Sequence, residues 1–238
     1  MRFSKDRDSL IDSAMLEEKR IIIDNRIREA CPDFKGAAIY AELNNTPYCP
    51  ELWAEIKCSA EYCRQQLTTE TLKQMPSIEA TRLTYRKLGK DPSRYRPSGE
   101  ALVRRILQGK DLYQINTAVD LINLASMEFG YSIGGFDYEK IQGDTLCLGV
   151  GQSGEPYEGI GRGMLNIENL PVYRDTIGGI GTPTSDNERT ALSLDTKHLL
   201  ALVNGYDGNA LNVMACAQRI GELLSLYANC QSCNILSY

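Results

Sequence analysis

Apolar residues recur at spacings of three and four through Leu72–Leu88 and Gly99–Leu107, and again from Asn116 to Met127 around Val119, Leu121, Ile122 and Leu124. That period places them on one face of a helix. Ser98 stands ahead of the second segment with Pro97 before it and Gly109 beyond its end, a start-and-stop pattern for a capped helix. The pattern changes near Lys140. From there, short runs of strand character alternate with glycine turns: Thr145–Val150, Met164–Ile167, Val172–Tyr173 and Ala191–Leu194. Ile21–Ile23 and Ala37–Leu43 also predict strands, and the run from Thr196 to Leu202 reads as the start of either a helix or a strand. Ala210–Tyr227 returns to helical spacing through Leu211, Met214, Ala215, Gln218 and Leu223, which predicts an amphipathic helix packed on the core. Without regular strand–helix alternation, the pattern predicts one α+β domain over residues 33–238, preceded by an N-terminal extension over residues 1–32.

Composition narrows the class. At 238 residues, 42% hydrophobic and 24% charged, the chain is long enough to bury a core and resembles ordinary globular proteins. No apolar run approaches the roughly 20 residues that span a bilayer, and the charged N-terminal stretch has no apolar signal core. A cytoplasmic location without membrane contact is therefore expected. In that setting the eight cysteines are expected to be reduced thiols. Cys230 and Cys233 have the spacing of half a zinc site, but Cys58 and Cys63 do not supply the other half and His198 is the one histidine, so no metal is expected. The acidic run Asp6–Glu18 reads as a solvated helix face.

Two motifs resemble chemistry without its context. Gly149, Gly151 and Gly154 have dinucleotide-loop spacing, but Glu155-Pro156 follows where a helix must open on the phosphates, so no nucleotide cofactor is expected. A histidine-based triad would have to use His198, whose surroundings read as an ordinary surface or capping position, and no protein nucleophile or base is assigned.

Charge singles out one stretch. Between Arg82 and Lys110 nine Lys or Arg stand against only Asp91 and Glu100, in a chain whose formal net charge is −5. Tyr85 and Tyr95 lie among these cations. Phosphates are contacted by Lys and Arg, and unpaired bases stack on aromatic rings, so this mixture suits an RNA end contacted at one place. Pairing of Arg104 or Arg105 with Glu100 along a helix is the structural alternative.

The segment from Gly89 to Asp137 resembles the tRNA-editing module of the phenylalanyl-tRNA synthetase beta subunit, and more closely its free-standing bacterial relatives. The synthetase motif runs Val-Asp-x-Thr-Asn and then Gly-x-Pro-x-His-x-Phe-Asp; Val119, Asp120, Asn123, Gly130, Phe136 and Asp137 fall in register with it without a gap. The resemblance covers residues 78–205 and, more loosely, the stretch from residue 33. It implies an α+β fold, a single layered domain with mixed β-sheets of sandwich character flanked by helices. It further implies a cleft that holds the acceptor end of a mischarged tRNA and hydrolyses its aminoacyl ester. Such an ester is already activated, so a positioned water and hydrogen bonds to the developing oxyanion can suffice.

On that resemblance the substrate pocket is expected to comprise Asn123, Ser126, Gly134, Gly179, Thr182, Thr184, Ser185 and Asp186, with Arg94, Arg96, Arg104 and Arg105 on tRNA phosphate and Glu100 and Asp120 as structural partners. The departures bear on specificity. Ile122 replaces the motif threonine, Ser132 the proline and Gly134 the histidine, while Asp186 or Glu188 can stand in for an acid that is out of register. Loss of these groups is expected to leave a larger, more apolar pocket. The ATP-binding motifs of class II synthetases are absent, so no ligase activity is expected of the chain by itself. The alternative is a non-catalytic module that binds tRNA or an amino acid.

Overall fold

A computed structural model of the protein describes residues 16–238, and the acidic run before residue 16 lies outside them, as does most of the segment 1–32 before its first strand. Four antiparallel strands form the central sheet, in the order β10, β2, β9, β3: β2 (Lys35–Glu42), β3 (Ser132–Asp137), β9 (His198–Gly205) and β10 (Cys233–Ser237). The alternation of side chains divides these strands between two cores. Ala37, Ile39, Ala41, Ile133, Leu199, Ala201 and Val203 face the helices, whereas Ala38, Tyr40, Phe136, Leu200 and Leu202 face a second sheet.

The helical layer consists of α2 (Pro50–Gln66), α3 (Thr69–Leu72), α4 (Pro76–Leu88), α5 (Ser98–Leu107), α6 (Thr117–Phe129) and α7 (Ala210–Tyr227), preceded in the chain by the short α1 (Asn25–Ala30). The second sheet runs β1 (Arg20–Ile23), β4 (Thr145–Val150), β7 (Pro171–Arg174) and β8 (Gly179–Gly181), with β1 parallel to β4 and the rest antiparallel. A two-stranded hairpin, β5 (Glu158–Gly159) and β6 (Gly163–Met164), projects beside β8. The architecture is thus helices on sheet on sheet, the α+β sandwich that the sequence predicts. No helix among the described residues is long and apolar enough to cross a membrane.

Local chemistry sets the element ends. The Asn116 side chain accepts from the Val119 N–H at 3.0 Å to open α6, and Gly130 ends it with φ 73°, where a Cβ would be strained. Asp120, the motif aspartate, is buried and accepts from Trp53 Nε1 at 2.8 Å and from the Ile115 N–H at 3.1 Å. It ties α6 to α2 and to the preceding loop, the structural role expected of it.

Several strands differ from the periodicity. β9 is buried on both faces, so its Leu-Leu-Ala-Leu-Val run lacks the alternation that separates strand from helix. Ala191–Leu194 is irregular, and of Met164–Ile167 only Met164 lies in a strand. Ser98 does not cap α5 from outside. It is the first helical residue, and its N–H is taken by the Pro183 carbonyl at 2.7 Å.

The dinucleotide-like glycines belong to the fold. At Gly151 a Cβ would sit 1.9 Å from the Ile167 carbonyl oxygen, and the Gly151 backbone bonds Leu170 O at 2.8 Å while accepting from the Asn169 N–H at 2.9 Å. Gly151→Ala is therefore expected to destabilise by at least about 2 kcal/mol, because rigid backbone rather than a side-chain tip must move. Urea unfolding measures this; a loss under about 0.5 kcal/mol would show that the contact is not as tight as described.

Candidate active site at the edge of β3

β3 is the last strand of the central sheet, so one side of its backbone has no strand partner. The segment after β8 comes up to that side. Asp186 reaches across and its Oδ2 accepts from the Gly135 N–H at 3.0 Å. Its Oδ1 makes no hydrogen bond among the described residues and lies 2.9 Å from where a Cβ on Gly181 would be and 3.4 Å from that of Gly134. Asp186 keeps partial solvent contact, yet its carboxyl group is pressed among these glycines. That burial pushes its pKa up from 3.8 to about 7, against a smaller downward pull from the Gly135 N–H.

The expected larger pocket at Gly134 is not there. The Phe136 ring, fully buried, passes between Gly134 and Gly181, with ring carbons 2.5 Å from a hypothetical Cβ on either glycine. The volume freed by a missing side chain at position 134 is filled from two residues along the same strand. The other face of the edge is closely packed as well. Gly135 is half-buried, with Ile122 Cδ1 and Leu192 Cδ1 at 2.7 and 3.1 Å from its hypothetical Cβ.

The remaining expected pocket residues separate into groups. Asn123 follows Ile122 on α6, half-buried, and its side-chain amide has no hydrogen-bond partner among the described residues. Ser126 is buried and donates to the Tyr131 carbonyl at 2.5 Å, joining the end of α6 to the approach to β3. Gly179 faces Tyr157 and Val172 rather than the Asp186 carboxyl itself. Thr182 and Thr184 spend their hydroxyls on local structure. Thr182 Oγ1 donates to Ser185 O at 2.9 Å and accepts from the N–H groups of Thr184 and Ser185, while Thr184 Oγ1 donates to Tyr95 O at 3.0 Å and pairs with the Tyr85 hydroxyl at 2.9 Å. Ser185 Oγ stays local too, donating to Asp186 O at 3.3 Å, and Tyr157 braces the turn by donating to Ser185 O at 2.7 Å. These hydroxyls hold Asp186 in place. The groups that converge at the edge are Gly134, Gly135, Gly181 and Asp186, with Ile122 and Leu192 alongside. Gly135 and Leu192 carry no sequence signal, since their part follows from strand order.

The arginines also divide. Glu100 is completely buried and bonded by Arg82 Nη1 at 2.8 Å, with Arg96 Nε at 3.5 Å and Arg104 Nη1 at 3.9 Å from its other oxygen. Arg105 stacks on the exposed Tyr113 ring at 3.8 Å, and Arg94 stands 5.7 Å from the Tyr95 ring. His198 opens β9 and pairs through Nδ1 with Glu139.

Comparison with known proteins names the class. The B3/4 domain model matches residues 80–222, well over half of the chain. The protein belongs to the B3/4 domain family, a module of the phenylalanyl-tRNA synthetase beta subunit. Among solved structures it is similar to an N-terminal fragment of the phenylalanyl-tRNA synthetase beta subunit from Pyrococcus horikoshii, at 15% identity and a TM-score of 0.45 over 92% of this chain and 51% of that one. The chain thus spans about half the length of that fragment. No curated protein matches it.

Proposed function

We propose that the protein hydrolyses the ester of a mischarged aminoacyl-tRNA in trans, without ligating amino acids itself. The observation that carries this reading is Asp186. Its carboxyl group has one oxygen fixed by the Gly135 N–H, the other unbonded, and a pKa of about 7. A carboxylate titrating near neutrality can accept a proton from water as that water attacks the ester carbonyl, and can return it to the departing ribose oxygen. The substrate ester would approach Asp186 at the unpaired edge of β3, with Ile122 and Leu192 packed beside Gly135 at its margin. Those aliphatic groups favour an apolar amino-acid side chain. The Asn123 amide is free to hydrogen-bond the acceptor end.

Purified protein incubated with a panel of mischarged tRNAs should release amino acid faster than buffer for at least one of them; no release above buffer from any would overturn the reading. A second reading has its own support, since Thr182, Thr184 and Ser126 have no hydroxyl to spare and Phe136 fills the Gly134 site. A module that binds the tRNA end or an amino acid without hydrolysis would show saturable binding and an undiminished ester.

A further inference from the structure

The ion cluster around Glu100 is out of balance. Three guanidinium groups, from Arg82, Arg96 and Arg104, converge on one carboxylate that has no solvent exposure. Only Arg82 makes a true hydrogen bond to it, and Arg82 also contacts Pro92 O and Ser93 Oγ at 3.4 Å, so its donors are committed. Arg96 and Arg104 approach Glu100 Oε1 without bonding it: that oxygen and the Nε atoms of both arginines are buried without a hydrogen-bond partner. Neither guanidinium has another protein acceptor among the described residues, and both side chains keep some exposure, 37% and 21%. One carboxylate faces three guanidinium groups, and the two partly desolvated charges it does not hydrogen-bond are costly to hold there unless an anion joins them. Glu70 and Glu79 do not supply it, because they line the cavity beside Arg82 together with Lys73 and Arg86.

We infer that Arg96 and Arg104, braced by Glu100 and Arg82, form a phosphate clamp for the RNA strand that leads into the Asp186 site. The ligand class is an oxyanion of phosphodiester type, which a pair of planar forks suits better than a point charge does. Placement supports RNA as its source. The segment carrying Arg96 is bonded to the turn before Asp186 on both sides, through Thr184 Oγ1 to Tyr95 O at 3.0 Å and through the Ser98 N–H to Pro183 O at 2.7 Å. The half-exposed Tyr95 ring lies next to it with Lys90 Nζ 3.7 Å over its face, which adds a further cation beside the pair. In a chain of net charge −5, a polyanion needs such a local site. This inference rests on the proposed RNA substrate, and it separates Arg96 and Arg104 from Arg94 and Arg105.

The test compares two double variants that remove the same charge. Uncharged tRNA is titrated against the native protein, Arg96→Ala/Arg104→Ala and Arg94→Ala/Arg105→Ala over a series of salt concentrations. Each lost phosphate contact should flatten the logarithmic salt dependence by about 0.7 to 0.9. The Arg96/Arg104 variant should therefore lose about 1.4 to 1.8 of slope and at least about tenfold in affinity, and the Arg94/Arg105 variant should stay close to native. Equal effects of the two variants, or native binding by the first, would overturn the clamp. Arg96→Lys/Arg104→Lys, which keeps the charge and the aliphatic stems, guards against misfolding as the cause: an intermediate loss supports the fork, and affinity equal to the native protein's rejects it. Competition with inorganic phosphate forms the other arm. Saturable binding of inorganic phosphate by a protein that binds no tRNA would reject RNA as the source. Because uncharged tRNA is the probe, ester hydrolysis can fail while the clamp stands, and the reverse.

Discussion

Phe136→Ala is expected to lower the unfolding free energy by about 3–5 kcal/mol, the range for truncating a fully buried phenylalanine. The ring is completely buried where the central sheet, β8 and the Asp186 carboxyl meet, and the two glycines that touch it have no side chains with which to fill the hole. The cost should lie toward the upper end, since Gly134 and Gly181 belong to paired strands that resist collapse. The same variant should alter the site. Water entering the vacated space would relieve the burial that raises the Asp186 pKa, moving it down from about 7 toward the ordinary carboxylate range. Denaturant unfolding gives the first quantity and carboxyl titration by NMR the second. A loss below about 1 kcal/mol would mean the ring is not the packing element described.

Asp186→Asn should reduce ester hydrolysis by about a hundredfold or more, the usual contribution of a positioned acid–base group. Asparagine retains an oxygen for the Gly135 N–H, so the turn should persist while proton transfer is lost. The native carboxyl also makes a signed prediction for stability. Its folded pKa is about 7 against an ordinary 3.8, so between these values the folded state holds a proton that the unfolded chain releases. Its contribution is therefore fully present below the unfolded pKa and is lost as pH rises through 7. Urea midpoints of the native protein should fall between pH 5 and pH 8 relative to those of Asp186→Asn. Parallel pH profiles for the two proteins would show that the carboxyl is not held protonated, and unchanged hydrolysis would remove Asp186 from the mechanism.

Much of this fold is legible before any coordinates. The helix at Ala210–Tyr227 and the strand at Thr145–Val150 show plain periodicity because each has one dominant buried face, and Asn116–Met127 shows it in its large apolar residues although most of that helix is buried. The motif from Val119 to Asp137 identifies the family. Other parts depend on long-range packing. β9 looks ambiguous since both of its faces are covered, and Ser-Ile-Gly-Gly-Phe-Asp in β3 has too few side chains to alternate. Gly134 by itself implies a vacancy; only the path of the strand shows Phe136 turning back to occupy it. Similarly, the pairing of Arg104 with Glu100 is open to a reading of helical spacing, whereas Arg82, on another helix, and Arg96, in the loop before α5, reach Glu100 only through the fold. Asp186 stands outside the motif register, and what draws it to the site is a single unpaired N–H on an edge strand.

The order of the central sheet has a consequence for how the protein is made. β2 pairs along its length with β9, joining Lys35 to Gly205 and Glu42 to His198, and its other neighbour, β10, follows later still. A ribosome therefore exposes the apolar β2 sequence, Gly-Ala-Ala-Ile-Tyr-Ala, long before either partner strand has been synthesised. Nonlocal pairing of this kind folds slowly and leaves a sticky intermediate. Nascent chains stalled before residue 198 should accordingly depend on chaperone capture, whereas chains extended past Tyr238 and clear of the exit tunnel should not.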